Sequence, residues 1–521
     1  MTVGPDAASA DEAGSASLLV KVLGVGAVAL GLTVLAKGLA FGRDVALSVV
    51  FGADMATDAF FVANMIPGIL WAAFLATINV VVLPMYVERR SQAPDAAGHF
   101  ANEAIQTYLA VSLVIGLICV AFAAPIVRFT APGASPETLA LATQLTIIMA
   151  VGFPFSGYVA IQNSLQQAHG RFIGPLAVPV VNNIIAILGI LAAAVLADIR
   201  IAVIAAVGAW VLQAPFQRFQ NRTLYPTVPR VILTRQTVQR IVLLSVPVMF
   251  GTFLDQINIF VGINLAGGVG EGAISQLNYA SRLAMFIATA FSMLVAYFFF
   301  PRIAASASAG DDAASGHSLT LGLLLTVALT LPLTIVAYVM RQDVVALVYG
   351  HGGLSAADLS GTALAFAAYA LGIVLIAARE MLNRLFFSYQ RMLPPLLLGV
   401  LASVVNFGVS SQLVDRLGVV GIALGASVGA LVYVVGQIVL VMIWKPRLIS
   451  LRLITGLALL GLASVPGWFT LYQVNGLTEV MLPFARLILG TLAFGLPFLA
   501  VVATAAWRMG LLRQIKGTVS A

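Results

Sequence analysis

Long apolar runs alternate with short polar connections along most of the chain. Each run has the roughly 20 apolar residues that a helix needs to cross a bilayer, and the pattern predicts about fourteen such spans. The first, second, eighth and tenth spans are longer than a straight crossing requires and contain glycine or proline, so we expect irregular helices there. The predicted spans are 18–50, 56–87, 101–127, 138–165, 172–197, 200–220, 238–265, 271–302, 316–340, 357–388, 393–414, 418–444, 451–473 and 481–508.

The composition agrees with this pattern. The chain has 521 residues, of which 61% are hydrophobic and 9% charged, and its mean hydropathy is +1.03. Soluble proteins carry roughly 25% charged residues, so a soluble globule is excluded and an all-α polytopic membrane protein is predicted. The single cysteine, Cys119, excludes a disulfide framework and a cysteine metal site within one chain.

Basic residues gather in alternate connections between the predicted spans. Only Arg128, Arg200, Arg341 and Arg416 fall on the opposite side. By the positive-inside rule both termini are predicted to be cytoplasmic. The net charge of +7 is therefore assigned to topology, and no nucleic-acid partner is expected.

The longest basic connection, 218–240, lies near the middle of the chain and is interpreted as part of a linker between two halves. A faint similarity between the segments Gly52 to Pro84 and Gly268 to Pro301 fits two repeated lobes, although chance similarity explains it as well. We expect a disordered cytoplasmic tail (1–17), an N-terminal lobe (18–220), a basic linker (221–237), a C-terminal lobe (238–444), and an extra helix pair with a cytoplasmic tail (445–521).

Several charged residues fall inside predicted spans. Charges at bilayer depth are costly and usually face a cavity or one another. One interpretation is internal pairing, such as Arg379 with Glu380 or Arg43 with Asp58. The other is a cationic cavity for an anionic substrate, because arginine forks bind phosphate oxygens in pairs. The candidate pyrophosphate site comprises Lys37, Arg43, Asp44, Asp58, Arg282 and Arg379.

Asp255 and Asn406 form a second candidate site, for ion coupling. Carboxylate and amide oxygens coordinate Na⁺, and a lone carboxylate carries H⁺. A polar contact between packed helices is the alternative. No cofactor, no assured metal site and no catalytic constellation are predicted, so we expect a transporter and not an enzyme. Since there is no Walker loop, the energy would come from an ion gradient, the membrane potential or the substrate gradient.

Several segments resemble the MurJ/MviN-type lipid II flippases of the MOP exporter superfamily. They are 38–44 (GLAFGRD), 51–53 (FGA), 56–63 (ATDAFFVA), 279–283 (YASRL), 347–350 (LVYG) and 386–390 (FFSYQ). The resemblance implies two lobes of about six helices each in a V-shaped arrangement, plus two C-terminal helices. It also implies that Arg43, Asp58 and Arg282 occupy positions that the family uses in its central cavity.

Other positions depart from the family pattern. Lys37 stands where the family usually has arginine, Trp71 and Ala72 replace a basic pair, and Ser281 replaces a common aspartate. The loss of the basic pair weakens the expected cationic cavity, and the departures together leave the glycan carried by the substrate open.

The resemblance predicts a flippase of the bacterial inner membrane that moves the undecaprenyl-pyrophosphate-linked precursor lipid II to the outer leaflet for peptidoglycan synthesis. The expected partners are this lipid, membrane lipids and the cell-wall synthesis machinery. The alternatives are a flippase for another polyprenyl-linked glycan, such as an exopolysaccharide or O-antigen unit, and an ion-coupled exporter of small amphiphiles. A further alternative is a non-transporting scaffold for cell-envelope assembly, in which mutations that neutralise the cavity charges would be silent. A membrane glycosyl- or acyltransferase, which would need a catalytic acid or histidine at the membrane face, is another.

Overall fold

The computed structural model describes residues 6–225, 234–477 and 481–508, and all regular secondary structure in these ranges is helical. A π-helical turn, Ile78–Val82, and a 3₁₀ turn, Pro446–Leu448, interrupt the α-helices. The α-helices are α1 (Asp6–Phe51), α2 (Met55–Thr77), α3 (Leu83–Gln92), α4 (Pro94–Ala121), α5 (Ala123–Thr130), α6 (Pro136–Val151), α7 (Phe153–Ala168), α8 (Ile173–Leu196), α9 (Ile199–Asn221), α10 (Arg235–Ala266), α11 (Ala273–Ser308), α12 (Asp312–Val339), α13 (Arg341–Tyr349), α14 (Ala356–Ser388), α15 (Leu393–Leu417), α16 (Val419–Trp444), α17 (Leu451–Leu477) and α18 (Pro483–Arg508).

These helices follow the predicted spans closely. Within the described residues, ten are long and apolar enough to cross a membrane, or twelve when each of two bent pairs counts as one span. The predicted number of about fourteen also includes α1 and α10, some of whose side chains lie outside the described residues. The chain is a multi-pass membrane protein, as its composition predicts.

Two of the four spans expected to be irregular contain a break, whereas α1 and α14 run through the first and the tenth without one. The eighth predicted span bends by 47° between Met293 and Val295 within α11. In the second span, however, α2 continues through Pro67, and the break is the π-helical turn that follows Thr77. A proline inside a membrane helix is tolerated because neighbouring groups satisfy the freed carbonyl.

The beginning of the chain also differs from expectation. Residues 6–17, expected to be a disordered tail, form the first part of α1. Alanine-rich sequence favours a helix. Starting a helix is the unfavourable step, and here the segment only extends the apolar helix that follows it. Of the predicted linker 221–237, residues 226–233 lie outside the described part of the chain.

The helices pack into two compact units, whose boundaries differ from those of the predicted lobes. Unit 1 comprises Met1–Leu47, Ile66–Ile126 and Thr143–Thr252, and unit 2 comprises Ser48–Met65, Val127–Ala142 and Phe253–Ala521. Residues 48–65 and 127–142, expected in the N-terminal lobe, therefore pack with unit 2, and the first half of α10 packs with unit 1.

Small residues allow close helix packing within each unit. In unit 1, a β-carbon added at Gly189 of α8 would overlap Ala205 of α9. In unit 2, Gly421, Gly425 and Gly429 line one face of α16, and a β-carbon at each would collide with α15. Lipid tails are as apolar as leucine, so helices in a bilayer associate through such close van der Waals contact.

A structural repeat relates the segment α7–α8–α9 in unit 1 to α14–α15–α16 in unit 2. The turn after α7 has Gly170 in the left-handed region (φ +70°), and the turn after α14 has Gln390 there (φ +56°). In both turns the next residue, Arg171 or Arg391, donates its backbone N–H to a carbonyl five residues earlier, at 2.9 Å. Two long helices follow in each case, joined by a second left-handed residue, Ala197 or Gly418.

Candidate functional site

Asp58, near the start of α2 in unit 2, binds the N-terminus of α11. Its carboxylate accepts the backbone N–H of Gly272 and that of Ser275, each at 2.8 Å, and also the Ser275 hydroxyl. The Asp58 side chain is buried. The first N–H groups of a helix lack intrahelical acceptors and carry the positive end of the helix dipole, so a buried carboxylate is stabilised there.

The turn between α1 and α2 completes this cluster. Gly52 has φ +69°, and its carbonyl accepts the hydroxyls of Thr57 at 3.1 Å and Tyr279 at 2.9 Å. The Tyr349 hydroxyl in turn donates to the carbonyl of Tyr279 at 3.2 Å. Gly52, Asp58, Tyr279 and Tyr349 belong to four of the segments that carry the sequence resemblance, and unit 2 brings them together.

Sequence reasoning missed Gly272 and Ser275, the backbone partners of Asp58. Gly272 has φ +79°, and a β-carbon there would overlap the carbonyl of Ala53. The available signal was the glycine-rich turn 267–272 directly before an apolar run, which is typical of a helix start.

Arg43 and Asp44 form an ion pair on α1 in unit 1. Arg43 Nη2 lies 2.9 Å and Nε 3.2 Å from Asp44 Oδ1. The Arg43 side chain is 34% exposed, whereas that of Asp44 is 8% exposed. Adjacent residues therefore form the pair, in place of the pairing of Arg43 with Asp58 that the sequence left open.

Lys37 lies on the same helix, seven residues before Asp44, and its side chain is exposed. Positions seven apart lie on one face of a helix, about two turns from each other. Lys37 and the Arg43–Asp44 pair thus place two cations and one acid on this stretch of α1.

Arg282 lies on α11 in unit 2, seven residues after Ser275. Its guanidinium carbon lies 5.5 Å from the ring centre of Phe61, which is one turn beyond Asp58 on α2. Phe61 is buried and contacts Tyr279 edge to face at 5.7 Å. Ser281, where the family commonly has aspartate, donates its hydroxyl to the Asn278 carbonyl of its own helix at 3.0 Å.

Arg379 has two partners in unit 2. Its guanidinium lies 3.5 Å from the Glu380 carboxylate and 5.5 Å from the Tyr433 ring centre. Both side chains of the ion pair are about one-third exposed. The structure thus contains the internal pair that the sequence offered as an alternative to substrate binding.

The candidate ion-coupling residues are described only in part. The Asp255 side chain lies outside the described residues. Asn406 is buried, donates to Asn258 Oδ1 at 2.9 Å and accepts the Ser410 hydroxyl at 3.0 Å. Among the residues described, no group of three or more histidine, cysteine or acidic side chains is placed to hold a metal ion.

The position of the missing basic pair is apolar. Trp71 packs against Trp210 within unit 1, with ring centres 4.7 Å apart. This aromatic contact occupies the place where the resemblance would put cations.

Comparison with known proteins gives a consistent result. The family model described as "Lipid II flippase MurJ" matches residues 47–494. A probable lipid II flippase MurJ of Thermotoga maritima is 23% identical over 370 residues, covering 70% of this chain and 73% of that protein. The lipid II flippase MurJ of Burkholderia cenocepacia is 24% identical over 362 residues, covering 67% and 69%.

Solved structures show the same fold. A lipid II flippase MurJ in an inward closed conformation has a TM-score of 0.80 at 20% identity, covering 92% of this chain and 99% of that one. An inward-facing MATE multidrug transporter of the MOP superfamily has a TM-score of 0.66 at 16% identity, covering 81% and 97%. The family model spans most of the sequence, which confirms the resemblance: this chain belongs to the lipid II flippase MurJ family.

Proposed function

We propose that this protein moves a polyprenyl-pyrophosphate-linked glycan, with lipid II as the first choice, from the inner to the outer leaflet by alternating access. The match of the family model over residues 47–494 carries this proposal. The protein would transport its substrate without altering it chemically. It would lie in the bacterial inner membrane with both termini in the cytoplasm, as the distribution of basic residues favours.

Arg43 is the residue best suited to bind the pyrophosphate. Asp44 neutralises the guanidinium while the site is empty, which lowers the cost of a cation at bilayer depth. The Arg43 side chain is about one-third exposed, which leaves N–H donors available for a ligand. A phosphate accepts two hydrogen bonds from one guanidinium group, through two of its oxygens. We expect Arg43 to exchange Asp44 for the pyrophosphate when substrate binds, with Lys37 as the further cation on α1.

Alternating access requires contacts that form in one state and break in another. The Asp58 cluster suits this role, because it joins the start of α2 to the start of α11 through three hydrogen bonds to one carboxylate. We propose that these helix starts are joined in one state of the transport cycle and separate in another. In the second state, water donates to the Asp58 carboxylate in place of the backbone N–H groups.

Ion coupling at Asp255 and Asn406 remains part of the proposal. Asn406 already donates to Asn258 and accepts from Ser410. Binding of Na⁺ would use the second lone pair of Asn406 Oδ1 together with the Asp255 carboxylate, whereas a proton would need Asp255 alone. Replacing external Na⁺ with choline therefore separates the two ions.

A flippase for another polyprenyl-linked glycan is the second candidate. The packing of Trp71 on Trp210 favours it, because a cation-poor cavity would suit a less anionic headgroup.

Complementation tests both candidates. The chain would be expressed in a bacterium depleted of its own lipid II flippase, together with Arg43→Ala and the control Arg200→Ala. Arg200 pairs with Asp198 at 3.4 Å and is 46% exposed. Rescue that is lost only with Arg43→Ala supports lipid II transport. No rescue by a stably inserted wild-type chain would reject lipid II, and rescue by Arg43→Ala would reject the assigned site.

A further inference from the structure

The structural repeat contains the same pair of amide side chains in both units. In unit 1, Gln217 of α9 donates to Asn163 Oδ1 of α7 at 2.9 Å. In unit 2, Gln437 of α16 donates to Asn383 Oδ1 of α14 at 2.7 Å. The two residues of each pair are 54 positions apart. Each asparagine lies seven residues before the left-handed residue of its turn, so the two pairs occupy matching places in the repeat.

Unit 2 adds a tyrosine and an arginine to its amide pair. Tyr433, four residues before Gln437 on α16, donates its hydroxyl to Asn383 Oδ1 at 3.2 Å. The ring centre of Tyr433 lies 5.5 Å from the guanidinium carbon of Arg379, which is four residues before Asn383 on α14. Tyr433 is buried and packs in one cluster with Leu398 of α15. The amide pair therefore fixes the ring against which Arg379 lies.

Unit 1 has no charge at the matching place. Val159 lies four residues before Asn163, where unit 2 has its arginine. Gln213 takes the place of the tyrosine and donates to Asn182 on α8. The cation beside the amide pair is therefore specific to unit 2, and the packing of the repeat does not require it.

The positive charge of Arg379 is only loosely paired. It lies inside the membrane span formed by α14, and the nearest Glu380 oxygen is 3.5 Å away. Arg43 also pairs with the acid that follows it in the sequence, Asp44, but at 2.9 Å. The two arginine side chains are equally exposed, at 34%. A charge at bilayer depth is costly, so an exposed guanidinium with one distant partner suits an anionic ligand.

Asn383 provides a second set of donors. Its Oδ1 accepts hydrogen bonds from both Tyr433 and Gln437, which directs the oxygen toward α16. Its NH₂ group carries two N–H donors, for which the structure shows no acceptor among the residues it describes. Asn383 is only partly buried. Because residues four apart lie on one side of a helix, Arg379 and Asn383 present their donors on the same side of α14.

Apolar side chains continue this side of α14 in both directions. Leu371, eight residues before Arg379, is 48% exposed, and Phe387, four residues after Asn383, is 42% exposed. The polar donors thus lie between exposed apolar groups. This arrangement suits an amphipathic anion, whose charged group binds the donors while its chain lies along the apolar side chains, better than a free inorganic ion.

We propose that Arg379 and Asn383 form an oxyanion site within unit 2 that binds a phosphate or carboxylate group of the transported lipid. Glu380 neutralises the guanidinium while the site is empty. Tyr433 and Gln437 are positioning residues, because they hold Asn383 with its NH₂ group toward the ligand. The site is additional to Arg43 on α1. This inference rests on the proposed function, since the ligand is an anionic group of the substrate.

Binding to the purified full-length chain in uncharged detergent tests this site. Three probes share one prenyl chain: farnesyl pyrophosphate, farnesoic acid and farnesol. The first two carry the two oxyanions that a lipid-linked glycan offers, a pyrophosphate and a carboxylate, and the third carries neither. All measurements use Arg43→Ala as the background, so that the proposed site on α1 does not contribute to binding.

Two variants remove the donors without removing the packing. Arg379→Gln replaces the charged fork with a neutral amide. Asn383→Asp keeps the oxygen that accepts from Tyr433 and Gln437, but it replaces the NH₂ group with an oxygen that repels an anion and attracts Arg379. Asn163→Asp is the matched control, since it makes the same change in the amide pair that has no arginine beside it.

We expect Arg379→Gln and Asn383→Asp each to weaken binding of an anionic probe by about tenfold. Asn163→Asp should change neither anionic probe, and farnesol should bind equally in every variant. A loss confined to one anionic probe supports the site and identifies that oxyanion as its ligand. Unchanged affinity for both anionic probes with either variant would overturn the assignment, and so would an equal loss with Asn163→Asp.

Complementation separates this inference from the proposed function. If the wild-type chain fails to rescue the depleted strain but binds the anionic probes through Arg379 and Asn383, lipid II is rejected and the oxyanion site is retained. If the wild-type chain rescues the strain but neither variant alters binding, the site is rejected and the proposed function is retained.

Discussion

The carboxylate of Asp58 accepts the backbone N–H of Ser275 at 2.8 Å, although 217 residues separate the two along the chain. The bond fixes the start of one membrane helix to the start of another. It uses a backbone donor, so the partner's side chain contributes only one of the three hydrogen bonds. The role of Asp58 therefore depends on its charge and on the position of α11 more than on the residue type at position 275.

Replacing Asp58 tests this relationship. In Asp58→Asn the side chain keeps its shape but turns an NH₂ group toward backbone donors. We therefore expect the free energy of unfolding to fall by about 1–3 kcal/mol and transport to be lost. Ser275→Ala removes one bond and should have a smaller effect, about 1 kcal/mol. Thermal unfolding in detergent and complementation would measure the two effects.

Asp198→Asn is the control for this substitution. Asp198 also accepts a backbone N–H at a helix start, from Arg200 at 2.9 Å, but its side chain is 37% exposed. We expect it to retain transport. If Asp58→Asn also retained full transport and stability, the Asp58 cluster would have no part in the cycle.

Gly272 tests the close approach of the α1–α2 turn to α11. Gly272→Ala forces alanine into the left-handed region and places its β-carbon against the carbonyl of Ala53. Gly310→Ala imposes a similar φ of +72°, but nothing lies within 4 Å of the added carbon. Backbone strain alone should lower the free energy of unfolding by about 1–2 kcal/mol at each position.

We therefore expect Gly272→Ala to lower the unfolding temperature further than Gly310→Ala does. Circular dichroism of both purified variants would make the comparison. Equal shifts would mean that the turn and α11 are not in tight contact.

The helices themselves were largely predictable from the sequence. Apolar length alone places α8 and α14 within one residue of their observed bounds, because a bilayer demands a nearly fixed number of apolar residues. The path of the second span was less predictable. Pro67 is accommodated within α2, and the irregular turn lies at Ile78–Val82, just before Pro84.

The candidate site was predictable only as a set of charges. The cost of burying a charge identifies Arg43, Asp58 and Arg379 as residues that need partners, but it does not choose the partners. Asp58 binds backbone groups at a helix start, which the glycine-rich turn 267–272 marks without showing its partner, and Arg43 binds its own neighbour Asp44. Packing between distant segments decides these pairings.

The shape of the Arg43 side chain provides a third test. Arg43→Lys keeps the positive charge but replaces a planar fork with a single ammonium group, which cannot bind two phosphate oxygens in the same geometry. We expect survival of the depleted strain to fall between that with wild type and that with Arg43→Ala. Arg200→Lys is the control and should rescue fully. Full rescue by Arg43→Lys would show that charge alone suffices.

The ion pair between Asp343 and Arg486 attaches the C-terminal helix pair to the rest of unit 2. Arg486 Nη1 on α18 lies 3.0 Å from Asp343 Oδ1 on α13, and the side chains are only 18% and 9% exposed. Such poorly hydrated pairs couple more strongly than exposed ones, because removing one partner leaves the other charge poorly solvated.

A double-mutant cycle with Asp343→Asn and Arg486→Gln should give a coupling energy of about 1–3 kcal/mol in detergent unfolding. The matched cycle on Asp198 and Arg200, which are 37% and 46% exposed, should give less than about 1 kcal/mol. Equal coupling in the two cycles would mean that water solvates Asp343 and Arg486 as well as it solvates the exposed pair, and that packing alone holds α18 in place.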